Sequence, residues 1–178
     1  MSIKQQIMES LKQAGVVVMR SDTIYGVMAA ATSKKAVDKL YAIKKRAYEK
    51  QSIVLISDPN SVPAHNELIE FYTEANDAPT SIIVPASDEP EWILRGGNSV
   101  AYRVIKEGLL KEVIDAVGPL VAPSANPEGL PPARTIDEAK AYFGDNIDMY
   151  FDGGEVPETA HPSRIIRIHD DGSVEQLR

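Results

Sequence analysis

The sequence predicts an α/β or mixed α+β protein in which helices cover a twisted sheet. Three observations carry that expectation. Apolar runs of strand length alternate with stretches whose apolar residues recur at helical spacing. The 178 residues fit one domain and suffice for a sizeable core. No internal repeat or low-complexity linker divides the chain, so residues 1–178 read as a single domain.

The elements follow in order. SIKQQIMESLKQAG opens on Ser2 as a candidate N-cap, carries Ile3, Ile7 and Leu11 at helical spacing, and meets Gly15 as a stop. VVVM at 16–19 reads as a buried strand. TSKKAVDKLYAIKKR is a second helix with Thr32 as candidate cap. SIVLIS (52–57) is a strand ended by Asp58-Pro59-Asn60, and HNELIEFYTEA (65–75) is a helix. TSIIVPA (80–86) and SVAYRVI (99–105) are strands, and between them 87–98 reads as a mobile loop with Trp92 as a local anchor. GLLKEVIDAVG (108–118) is an amphipathic helix between two glycines, followed by a strand at 120–122. TIDEAKAYFG begins with a capping box, Thr135 and Glu138, and ends at Gly144. The last segment reads as a hairpin about Asp171-Gly172.

Composition narrows the functions. Hydrophobic content of 43% and charged content of 25% are those of an ordinary soluble globular protein. A chain with no cysteine has no disulfide, no thiolate zinc site and no cysteine nucleophile. His65, His161 and His169 lack metal-ligand spacing. A net charge of −7 disfavours nucleic acid as the main ligand. The basic run KKAVDKLYAIKKR is either a solvated helix face or a local binding cluster. No apolar run approaches the ~20 residues of a bilayer-spanning helix. The N-terminus has no apolar signal core, which predicts a cytoplasmic protein. The common phosphate cradles, GxxxxGK[ST] and GxGxxG, are absent, and so is a serine-centred hydrolase elbow.

Four places ask for more than a structural role. Lys44 falls on the inward face of its helix with Leu40 and Tyr41, where it either snorkels to water or points its ammonium into a cleft. Arg103 alternates away from Val100, Tyr102 and Val104; it faces solvent on an edge strand, or it meets an anion if both faces are covered. Ser21, Asp22 and Thr23 gather short polar groups at a strand's C-terminal end, either as a turn or as a ligand site. Ser124 and Asn126 stand two apart where a strand gives out, either as a turn or as a binding loop.

SDTIYG, the KKR at 44–46, VAYRV, PSANPEGLPPARTIDEA, FDGG and PSRII occur in this order, and together they resemble the YrdC-like (TsaC) family of threonylcarbamoyl-AMP synthases. The resemblance spans about residues 10 to 168, and its most specific marks are the KxR and SxN elements. It implies a twisted mixed sheet flanked by helices, with a large concave, positively charged cavity. It implies the condensation of L-threonine, bicarbonate or CO2, and ATP into threonylcarbamoyl-adenylate and pyrophosphate. The product then feeds the N6-threonylcarbamoyl modification of tRNA adenosine 37 through a partner transferase complex, with tRNA contact weak or indirect and no membrane.

The resemblance also implies roles. Lys44 and Arg46 supply charge near the phosphates and the carbamate, and Ser124 and Asn126 hydrogen-bond nucleotide phosphate or ribose. Arg103 and Ser163 hold the amino acid carboxylate or the adenylate. Ser21 and Thr23 with Tyr25 line the threonine pocket, and Lys50 is a further basic position near the substrate. Magnesium arrives with the triphosphate. The sequence departs from the family pattern at Arg20 and Ser21, at Ala47, at Ala78, and at Arg164; Ser81 keeps a hydroxyl in the third of these stretches. These departures motivate the alternative of a non-catalytic paralogue that binds RNA or nucleotide. A carbamoyl-transfer module, as in hydrogenase maturation, is a weaker third reading.

Overall fold

The computed structural model describes residues 1–62 and 66–178; His65, the expected start of the third helix, lies outside the described residues. The chain runs α1 (Ile3–Lys12), β1 (Val17–Arg20), β2 (Tyr25–Ala30), α2 (Lys34–Lys44), β3 (Val54–Ile56) and α3 (Asn66–Glu74). It continues with β4 (Thr80–Pro85), α4 (Glu91–Leu94), β5 (Ser99–Val104), α5 (Gly108–Val117), β6 (Leu120–Val121) and α6 (Ile136–Phe143). It closes with β7 (Met149–Tyr150), β8 (Arg164–Ile168) and β9 (Val174–Gln176). Among the described residues the strands form one mixed sheet in the order β7-β1-β2-β6-β3-β5-β4-β8-β9. β3 and β5, β4 and β8, and β1 and β7 pair parallel; the other neighbours pair antiparallel.

Local chemistry sets the boundaries. Ser2 caps α1 as expected, and Gln5 returns the bond to the Ser2 N–H, completing a capping box. Ser33, not Thr32, caps α2, because its hydroxyl accepts from the Ala36 N–H. Thr135 caps α6 from Glu138 N–H, but the Glu138 carboxylate accepts from the Arg134 N–H one residue further out. The closing hairpin turns at Gly172, whose φ of 81° suits glycine.

One segment adds to the sequence reading and one corrects it. YGVMAA is a strand, buried at all six positions and therefore without alternation. Residues 87–98 hold the short helix α4 and are pinned by Trp92, whose indole N–H donates to the Ala31 carbonyl at 2.9 Å.

Each sheet face has its own apolar cluster. On one, Val18, Val27, Val54, Ile56 and Tyr102 pack against Val37 and Leu40 of α2 and Ile136 and Phe143 of α6. On the other, Val17, Met28, Leu55 and Ile105 pack against Ile7 and Leu11 of α1 and Leu110, Val113 and Ile114 of α5. The second face also bears the hollow described next, since Met28 and Ala122 belong to both.

Candidate active site

The hollow has a volume of about 370 Å³, within the usual range for a small-molecule site. Arg46, Arg103 and Arg178 line it, and no Asp or Glu side chain does among the described residues. Hydroxyls of Ser21, Thr23, Ser52, Ser124 and Ser163 complete its polar wall.

The β1–β2 turn builds one side. Ser21 Oγ donates to the Ile24 carbonyl at 2.8 Å and accepts from the Thr23 N–H at 3.2 Å, with Thr23 Oγ1 3.0 Å away. These bonds hold Ser21 and Thr23 toward the hollow while Asp22 points behind it. At Gly26 the chain runs beside the opposite loop: an added Cβ would lie at contact distance, 3.4 Å, from the Pro123 carbonyl and would press at 3.2 Å only on the movable Cε of Met28.

The SxN loop is zipped to β2. The Val27 N–H donates to Pro123 O and the Ala125 N–H to Tyr25 O, each at 2.9 Å. Within the loop, Ser124 Oγ donates to Asn126 Oδ1 at 2.5 Å, and Asn126 Nδ2 donates to Leu130 O at 2.8 Å. Ser124 therefore faces the hollow, while Asn126 secures the turn behind it.

Lys44 is buried, 4% exposed, and points inward as its helical position predicts. Its ammonium donates to the carbonyls of Ser124 and of Asn126, the latter at 2.7 Å, so it stands beneath the SxN loop rather than on the hollow's wall. Burial, helped by the nearby Arg46 charge, pulls its pKa down to about 7. Arg46 does reach the hollow; its guanidinium donates to the carbonyls of Lys50 at 3.1 Å and Gln51 at 2.7 Å. Lys50 lies off the wall and exposed, in an ion pair with Glu128 that ties the KxR loop to the SxN loop.

Arg103 sits on the central strand β5, between β3 and β4, which decides the sequence's open choice in favour of burial. It is 4% exposed, and a terminal nitrogen meets Asp22 at 3.0 Å. Its Nε is buried without a hydrogen-bond partner. Burial lowers the pKa of this guanidinium, and Asp22 opposes the shift. Ser163 is buried at the hollow's floor, its hydroxyl 2.7 Å from that of Ser81.

Tyr25 contributes to the lining, but its hydroxyl turns away. It donates to Gly154 O at 2.9 Å and accepts from the Gly153 N–H at 3.0 Å, anchoring the FDGG segment. Gly153 packs so closely that a Cβ would lie 2.8 Å from Arg20 Cβ. The departures at Arg20 and Arg164 find structural partners in Glu155 O and the Asn76 side chain.

Sequence reasoning missed Arg178 and Gln51, and gave Ser81 only as a hydroxyl kept in a family stretch, without a place in the site. Arg178 lines the hollow and donates from Nε to Ser163 O at 2.9 Å; burial lowers its pKa. Its place depends on the β8–β9 hairpin and carries no local signal. Gln51 bridges the Leu94 and Ser99 carbonyls, each at 2.7 Å, and so fixes the backbone that Arg46 grips.

The family model Sua5_yciO_yrdC, described as telomere recombination, matches residues 9–178. A threonylcarbamoyl-AMP synthase of Pseudomonas paraeruginosa is 32% identical over 168 residues, covering 87% of this chain and 86% of its own. The fold is similar to that of P. abyssi Sua5 complexed with L-threonine, with a TM-score of 0.88 and 23% identity. That likeness covers 98% of this chain and 53% of the other, so the chain spans about half of that protein. E. coli YciO gives a TM-score of 0.83 at 18% identity, covering 99% of this chain and 88% of that one.

Proposed function

The chain belongs to the Sua5/YciO/YrdC family, and we propose that it is an L-threonylcarbamoyladenylate synthase. It joins L-threonine, bicarbonate or CO2, and ATP into threonylcarbamoyl-AMP and releases pyrophosphate. One observation carries the reading: a hollow lined by three arginines and by no Asp or Glu side chain, among the described residues, in a chain of net charge −7. Such a site suits a reaction that brings two anions together.

The threonine amine takes up CO2 as a carbamate and loses a proton. A carbamate oxygen then attacks the α-phosphorus of ATP, and the bond to the bridging oxygen of the β-phosphate breaks with its electron pair leaving on pyrophosphate. Cationic donors fixed in a partly dry hollow lower that barrier without reorganising, and positioning supplies much of the rest. Arg103, which lines the hollow, takes the amino acid carboxylate, and the Ser163 hydroxyl assists. Ser21 and Thr23 face the threonine side chain, with the Tyr25 ring behind them. Arg46 and Arg178 receive the phosphates, and Ser124 hydrogen-bonds the nucleotide. Lys44 and Asn126 hold the loop that presents Ser124, and Lys50 waits at its side.

Magnesium enters as the ion of the ATP substrate. No Asp or Glu side chain lines the hollow, and the described residues hold no group of three or more His, Asp or Glu side chains that could hold a metal ion. Residues 1–178 act as a single domain, in the cytoplasm, and pass the product to a tRNA-modifying transferase complex. No helix among the described residues is long and apolar enough to cross a membrane.

The test is pyrophosphate release with ATP, magnesium and bicarbonate, with and without L-threonine. Threonine-dependent release supports the synthase. ATP binding by calorimetry with no release overturns it and favours the nucleotide-binding paralogue.

A further inference from the structure

Asp22 is the one charged side chain of SDTIYG, and the reaction leaves it without a task. It stands behind the wall of the hollow, and its carboxylate is 28% exposed. A second hollow of about 240 Å³, lined also by Thr73, Asn76 and Lys106, reaches it from the far side. Arg103 lies between Asp22 and the active-site hollow, with its side chain 5% exposed. Its Nη2 faces Asp22 at 3.0 Å and Ser21 Oγ at 3.4 Å, while its Nε is buried without a partner.

A guanidinium is a planar fork with two usable edges. Here Nη2 is committed to Asp22 and Ser21, and Nε, on the same edge, is fully buried, which leaves Nη1 as the donor for a ligand. The ion pair is also asymmetric: the cation is desolvated while the anion keeps some water, which reduces the usual penalty of a buried pair.

We propose that Asp22 is a positioning residue for substrate recognition. By gripping Nη2 of the Arg103 guanidinium it sets the plane of the fork, so that the other terminal nitrogen, Nη1, is presented to the α-carboxylate of the amino acid substrate. The inference rests on the synthase reading, and on Arg103 as the carboxylate's partner. Asp22 touches no substrate; it neutralises Arg103 from behind and keeps it from rotating out of the binding plane. Ser21 closes the same grip from the turn, which explains why the short polar residues of SDT fall where β1 ends.

The experiment compares wild type, Asp22→Asn and Asp22→Glu, each alone and with Arg103→Lys, using L-threonine as the probe. Charged hydrogen bonds of this kind translate into about a tenfold effect or more, so Asp22→Asn should raise the threonine KM by about that factor. The ATP KM should stay within about twofold, because the phosphates meet other arginines. Asp22→Glu, which restores the charge, should recover most of the loss. Arg103→Lys should cost less in the Asp22→Asn background than in wild type, since the two residues act as a unit. An unchanged threonine KM in Asp22→Asn overturns the inference, and so does an equal rise of both KM values or a failure of Asp22→Glu to recover. A wild-type protein that releases no pyrophosphate with threonine sinks the synthase reading instead. Asp22 is then judged by hydrogen exchange at Arg103 Nε: faster exchange in Asp22→Asn than in wild type upholds its grip, and equal exchange removes it.

Discussion

Ser81 and Ser163 place their hydroxyl oxygens 2.7 Å apart beneath the floor of the arginine-lined hollow, with the residues 0% and 2% exposed. β4 and β8 bring them together by pairing in parallel. Ser163 faces the hollow, and Ser81 orients it from behind.

Ser81→Ala removes that partner and leaves a buried hydroxyl unsatisfied. The expected loss of stability is about 1–3 kcal/mol, read by urea denaturation. The threonine KM should rise while the ATP KM holds. Wild-type stability and kinetics would show that Ser163 needs no support.

Lys44 makes a pH-dependent contribution whose sign follows from its burial. Its folded pKa of about 7 lies below the ordinary 10.5. Between those values the unfolded chain binds the proton and the folded chain does not, so stability rises with pH across that window. The contribution is greatest above the unfolded value and is lost as pH falls to about 7. Lys44→Met should lack this rise; urea titrations near neutral pH and about two units higher compare the two proteins. Parallel curves would place the titration elsewhere.

The same ammonium pins the SxN loop. Lys44→Ala and Asn126→Ala each release part of it, and displacement of a catalytic loop by about 1 Å costs on the order of a hundredfold in rate. Both variants should lose kcat/KM on that scale while keeping the circular dichroism of the wild type. If both kept wild-type turnover, the roles given to this loop would be wrong.

Tyr25→Phe separates architecture from chemistry. It strips the Gly153 N–H and Gly154 carbonyl of their partner. A loss of about 1–3 kcal/mol in stability is expected, with little change in kcat. Gly153→Ala should destabilise in the same range of about 1–3 kcal/mol, because its Cβ would press on that of Arg20. A collapse of kcat in Tyr25→Phe without loss of stability would give the hydroxyl a direct role.

Arg178→Ala tests the third arginine. Losing one charged donor to an anion should weaken substrate binding by about tenfold or more. The effect should shrink as salt rises, because part of it is electrostatic. An unchanged KM for both substrates would remove Arg178 from the site.

Much of the architecture is legible in the sequence because its elements are locally marked. Ser2, Thr135 and Gly172 do at the helix starts and the final turn what their residue types predict. β2 is not legible, since a strand covered on both faces and built from Tyr, Gly, Val, Met and Ala shows no period. α4 is hidden because the bonds of Trp92 to Ala31 and of Gln51 to Leu94 are tertiary.

The site divides in the same way. The inward turn of Lys44 and the burial of Arg103 follow from their positions on a helix and a strand. What Lys44 holds does not follow, because the carbonyls of Ser124 and Asn126 come from the far side of β2. Arg178 and Ser81 join only when β8 closes the sheet beside β4. Asp22 is conspicuous as a residue type, but its target lies on β5.

The most direct test of the account follows the carbon that becomes the carbamate. Purified protein is incubated with ATP, magnesium, L-threonine and isotopically labelled bicarbonate, and the nucleotide products are read by mass spectrometry. The account predicts threonylcarbamoyl-AMP carrying the label, equal in amount to the pyrophosphate released and lost in Arg103→Ala. AMP or ADP alone, with no labelled adenylate, would contradict it.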